Sequence, residues 1–229
     1  MDDLLPFLKC KTCGVGYRTN TMQGVRYYSL KAEHKKHENQ RSTIVAEKVD
    51  AIIRAVCDYM PRDESFMAAC KEISDAAFEK KKIYINATNS YNLRFGMGSL
   101  FPGFEDIPYN KNVLDPLNAE LERFERIRRC HTEDANGKEH YRPCRKEDII
   151  ESILMEEGRI TVKLIAGRSI EIALPGKLTK SETKFPAVLL CPKELRMVFG
   201  KDDDDDFEYV PRFPTDHTEP VSFVLEIDK

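Results

Sequence analysis

The chain has 229 residues, 41% of them hydrophobic, enough to bury a core and too many for a disordered polymer. Its 36 basic and 39 acidic side chains nearly cancel to a formal net charge of -3, which excludes a nucleic-acid-coating protein that is basic along its whole length. No apolar run approaches the ~20 residues that span a bilayer, and residues 1–14 have neither the basic lead nor the apolar stretch of a secretory signal, so nucleus or cytoplasm is expected and secretion is not.

In chain order, Cys10-Lys-Thr-Cys13-Gly14 places two thiols on a turn, with glycine free to fold the backbone over an ion. Next, Val45, Val49, Ile52, Ile53, Val56 and Met60 recur every three or four positions, which predicts one helix over residues 29–60, stopped by Pro61. A second helix is expected from Asp63 with Phe66, Cys70, Ile73 and Ala77 inward. Residues 82–86 read as a short strand and 89–112, rich in Asn, Gly and Pro, as an irregular connection. Asp115 followed by Pro116 predicts the start of a third helix, running to Arg129. A fourth is expected over 145–157, with Ile149, Ile150, Ile153 and Leu154 on its buried face and Gly158 as its cap.

Beyond Gly158 the apolar period becomes two. Residues 159–165 and 169–174 predict a hairpin around Gly167, and 187–191, 195–199, 207–210 and 221–227 are further strand candidates. The expected fold class is α+β: an N-terminal zinc knuckle leading into a long helix (1–60), a mainly helical region with an irregular loop (61–158), and a β-rich unit (159–229).

Four residues carry the chemistry. Cys10 and Cys13 lie on the turn, while His34 and His37, at i and i+3, fall on one face of the expected helix, so thiolates and imidazoles can converge on a tetrahedral Zn2+ ion. The stretch resembles zinc fingers with two cysteine and two histidine ligands, Tyr17 and Leu30 taking the places of the family's aromatic and leucine. With 20 residues between Cys13 and His34 it is closer to variant fingers such as the matrin and BED types than to the common finger. Cys130, His131, His140 and Cys144 form a second group of ligand-type residues, in a spacing for which capping or core roles are preferred over a second metal. No P-loop, dinucleotide fingerprint, HExxH or nucleophile set occurs, so neither an enzyme nor a small-molecule substrate is expected, and no catalytic residue is assigned.

Charge is segregated along the chain. Residues 7–48 hold nine Lys or Arg against three Glu, a surplus of +6; residues 201–229 hold three basic against ten acidic side chains, a balance of -7. The principal expectation is therefore a zinc-binding nucleic-acid factor, RNA preferred over DNA, contacting phosphate through Arg18, Arg26, Lys31, Lys35, Lys36 and Arg41, with Tyr27 and Tyr28 stacking on unpaired bases. The alternative is an adaptor in which zinc is structural and the C-terminal sheet binds a partner protein. Residues 159–227 resemble a ubiquitin-like β-grasp, which implies a helix over 177–189 and an apolar partner-binding patch formed by Ile165, Val198 and Val224.

Overall fold

The computed structural model describes residues 4–30, 43–95, 108–156, 158–175, 179–181, 184–190 and 221–227. Strand β1 is Leu8–Cys10. Tyr17–Met22 (β2) and Val25–Leu30 (β3) then make an antiparallel hairpin around Gln23 and Gly24, whose φ values of 51° and 80° are those of a two-residue type I′ turn. Thr43–Val45 (β4) joins the other side of β3. The helix expected from residue 29 is corrected accordingly: Ser29, Leu30 and residues 43–45 are strand, and helix α1 spans only Ala46–Tyr59. Pairing decides this, because the β3 ladder buries Tyr28, Leu30 and Ile44 together, and β-branched Thr43, Ile44 and Val45 suit a pleated surface. Helical periodicity holds where the helix does, with Val49, Ile52, Ile53 and Val56 all buried.

A short 3-10 turn, Met60–Arg62, leads to Asp63. The buried Asp63 carboxylate caps helix α2 (Glu64–Phe95), accepting the Phe66 backbone N–H at 2.9 Å and the Ser65 hydroxyl at 2.7 Å. At 32 residues, α2 absorbs both the strand expected at 82–86 and the start of the irregular connection. Tertiary support explains the extension. Helix α3 (Lys111–Arg128) packs along α2; the Tyr84 hydroxyl accepts the Asn110 N–H at 2.7 Å, and the Tyr109 hydroxyl donates to Asn89 at 2.6 Å. The expected start of α3 at Asp115 also moves. Asn110 takes the capping role, accepting the Asn112 N–H at 2.9 Å, and Pro116 lies inside the helix.

After α3 come the ribbon strands β5 (His131–Glu133) and β6 (Glu139–Tyr141). The fourth helix is corrected more sharply: only one turn, α4 (Lys146–Ile149), is helical, and Ile150–Glu156 is strand β7. Apolar residues at 149, 150, 153 and 154 fit either period, and the neighbours decide between them. β7 lies between β1, which it meets in parallel with Ile153 opposite Leu8, and β8 (Arg159–Leu164), which it meets antiparallel with Ile153 opposite Val162. Ala166 and Gly167, with φ of 60° and 68°, turn β8 into β9 (Ser169–Ala173), as the period-two pattern predicts. β10 (Lys184–Leu190) and β11 (Val221–Glu226) complete a six-stranded sheet in the order β1-β7-β8-β9-β10-β11.

The fold is thus α+β. β10 occupies residues where the ubiquitin-like arrangement requires a helix, because Phe185 and Ala187 point into the core while the strand pairs on both sides with β9 and β11. The expected strands at 195–199 and 207–210 lie outside the described residues. Among the described residues, one apolar cluster runs from Leu4 through α1 and the sheet to Ala187, crossing both expected boundaries. Among the described residues, no helix is long and apolar enough to cross a membrane.

Candidate metal centre

β1 delivers Cys10 into a turn that closes on itself. The Cys10 N–H donates to the Val15 carbonyl and the Gly14 N–H to the Cys10 carbonyl, both at 2.8 Å, and Gly14 takes a φ of 73° that only glycine adopts without strain. Lys9 bridges to Gly16, so the chain doubles back beside β1 before entering β2. Two ties fix the turn to β7: the Lys11 N–H donates to the Met155 carbonyl at 3.0 Å, and the Lys11 ammonium meets Glu156 at 2.8 Å. Cys10 is wholly buried and Cys13 half-buried. Burial holds the Tyr17 phenol well above its ordinary range, and both the Cys10 and Cys13 thiols, close enough to be felt, add to the shift. The structure therefore brings Cys10, Cys13 and Tyr17 together.

His34 and His37 lie outside the described residues, as do Lys31, Lys35, Lys36 and Arg41. Among the described residues, no three His, Cys, Asp or Glu side chains are placed to hold a metal ion. No protein-family model matches the chain, and no curated protein or solved structure matches it significantly. The site stands on its own residues.

Of the other expected contact residues, Arg18 is exposed on β2. Arg26 is differently engaged: its guanidinium pairs with Asp50 and lies 5.7 Å from the centre of the Tyr28 ring. Tyr28, 0% exposed, donates its hydroxyl to Asp50 at 2.9 Å and so has no face free to stack on a base; that expectation is corrected, β3 having turned the ring into the core. Burial raises the Asp50 carboxyl, against the opposing pull of Tyr28 and Arg26. One member of the expected partner-binding patch is corrected too. Ile165 is only 4% exposed, its N–H held by the Ile149 carbonyl at 2.9 Å, because the hairpin folds it under α4. Val224 is exposed on β11, and Val198 lies outside the described residues.

The second ligand-type group separates. His131 stacks on Tyr141 with ring centres 4.7 Å apart, whereas His140 pairs with Asp134 at 3.3 Å on the adjacent rung, so the two imidazoles project to opposite faces of the ribbon. Cys130 and Cys144 are brought close, the Cys130 thiol lying 3.6 Å from the carbonyl of Pro143, next to Cys144. Around them the fold gathers Cys57 from α1 and Cys70 from α2, which no spacing in the sequence reveals; the Cys144 N–H donates to the Cys57 carbonyl at 3.0 Å. Burial pushes the Cys57 and Cys70 thiols up to about 12.

Proposed function

We propose that this protein is a non-enzymatic interaction factor whose N-terminal turn holds zinc as a structural ion. The observation that carries the reading is the Cys10–Gly14 bend, where two thiols share one neighbourhood at the end of a core strand. Leu30, the last residue of β3, pairs with Tyr17 beside those thiols, so the chain sets out toward His34 from next to the site. The four residues to His34 reach at most ~14 Å, and His37 follows three positions later, which is ample for the pair to complete two sulfur and two nitrogen ligands. A ligand as buried as Cys10 suits a closed structural site, since a catalytic zinc keeps a position open to substrate.

The partner we infer is a protein. Phe78, Ile83, Tyr91 and Leu93 on α2, with Tyr109 and Val113 at the start of α3, leave large apolar side chains in water, Leu93 being 78% exposed. A second reading, RNA binding, draws support from exposed Arg18 and from the basic residues Lys31, Lys35, Lys36 and Arg41 that follow β3. One set of measurements separates the two. Elemental analysis of the purified full chain is expected to give one zinc per molecule, lost in Cys13→Ser. Phe78→Asp with Leu93→Asp is expected to abolish capture of a cellular protein while zinc content and circular dichroism stay unchanged. Tight, salt-sensitive binding of single-stranded RNA, with protein capture unaffected by those two substitutions, would transfer the assignment to RNA.

A further inference from the structure

Cys130 follows α3 directly, and its backbone carbonyl accepts the Arg142 N–H at 2.7 Å, extending the β5–β6 ladder by one rung. Cys144 stands two residues beyond Arg142, past the end of β6. The side chains agree with the backbone. The Cys130 thiol lies 3.4 Å from the Arg126 carbonyl and 3.6 Å from that of Pro143, the residue joined directly to Cys144. Cys130 is half-buried and reachable from solvent; Cys144 is buried. Cys57, whose carbonyl accepts the Cys144 N–H at 3.0 Å, and Cys70 are both buried in the same apolar cluster. No three of these sulfurs are arranged to enclose an ion. Two neighbouring thiols, one accessible and one sheltered, have the arrangement of an attacking and a resolving cysteine.

We propose that Cys130 and Cys144 form a reversible dithiol–disulfide site, oxidised by a peroxide. The Cys130 thiolate attacks one peroxide oxygen; the O–O bond breaks, hydroxide leaves, and Cys130 becomes a sulfenic acid. The Cys144 sulfur then attacks the Cys130 sulfur, the S–O bond breaks, and the hydroxyl departs as water with the Cys144 proton. Two thiols and one hydrogen peroxide give one disulfide and two waters, and a dithiol reductant reverses the change. The bond would clamp the base of the β5–β6 ribbon to the end of α3. Burial beside further sulfurs holds the Cys144 thiol far above its ordinary range, so it serves as the resolving partner and Cys130 as the attacking one.

The test uses the full chain, reduced, freed of reductant and exposed to hydrogen peroxide, followed by thiol alkylation and peptide mapping. The expected result is joint loss of the Cys130 and Cys144 thiols in one cross-linked peptide pair, with both restored by dithiothreitol. In Cys144→Ser, Cys130 is expected to stop at sulfenic acid and to react with dimedone. If that variant fails to fold, Cys130→Ser serves instead, and its Cys144 should stay reduced under the same dose. Cross-linking to Cys57 or Cys70, oxidation of Cys130 to sulfinic acid with Cys144 still reduced in the unaltered chain, or survival of both thiols would overturn the proposal. Mapping keeps Cys10 and Cys13 separate, so the result does not depend on zinc.

Discussion

Replacing Ile153 and, separately, Leu154 by alanine tests the strand that the apolar spacing disguises as a helix. In strand β7 these neighbours point to opposite faces: Ile153 is 0% exposed between Leu8 and Val162, whereas Leu154 is only half-buried. Ile→Ala removes three carbons, worth ~2.4 kcal/mol at ~0.8 kcal/mol each, and an incompletely collapsed cavity raises the loss to ~3–4 kcal/mol. Truncating Leu154, which keeps part of its surface in water, is expected to cost about half as much. For a chain of this size a loss of ~3 kcal/mol corresponds to roughly 6–12 °C in Tm. Urea unfolding followed by circular dichroism, with calorimetry alongside, gives both quantities. Equal losses at the two positions, the outcome for two residues sharing one buried helix face, would refute the assignment of β7 and with it the parallel pairing that holds Cys10 in the core.

Asp63→Ala should remove the α2 cap and cost about 1–2 kcal/mol, while Asp63→Asn, which keeps an acceptor oxygen, should cost well under half of that in the same urea titration. Cys13→Ser should yield protein without zinc whose N-terminal amides, from Cys10 to Tyr17, exchange with deuterium at least tenfold faster than in the parent, an outcome read by mass spectrometry. Asp50 supplies a pH dependence. Its folded carboxyl is raised chiefly by burial, so the folded state holds that proton to higher pH than the unfolded chain does. Its contribution to stability is then greatest below the unfolded carboxylate value and falls as pH rises through the folded one. The stability of the parent relative to Asp50→Asn should accordingly decline with rising pH across that window; a rise would contradict the burial argument.

Features carried by local chemistry were legible before the structure. The α1 stripe from Val49 to Val56, the start of α2 at Asp63 and the β8–β9 hairpin each depend on residues a few positions apart, and each lies where the pattern places it. The features that escaped depend on distant partners. β7 is a strand because β1 and β8 offer it backbone groups, and α2 continues past Lys82 because Tyr109 and Asn110 return to meet it. The β2–β3 hairpin had a local signal, a Gln-Gly pair between β-favouring residues, although the expected helix claimed the last two residues of β3. At the candidate site the Cys10–Cys13 turn could be read from spacing alone, whereas the gathering of Cys57, Cys70, Cys130 and Cys144 could not, since four separate elements contribute to it.

The parallel pairing of β1 with β7 has a kinetic consequence. The contact between Lys11 and Glu156 joins residues 145 positions apart, so β1 is made long before the neighbour it pairs with. During synthesis the Cys10 turn must wait, edge unpaired and thiols open to the surrounding solution, until the ribosome has released the middle of the chain. Whatever those two sulfurs come to hold, they are available to it long before the sheet shuts them in.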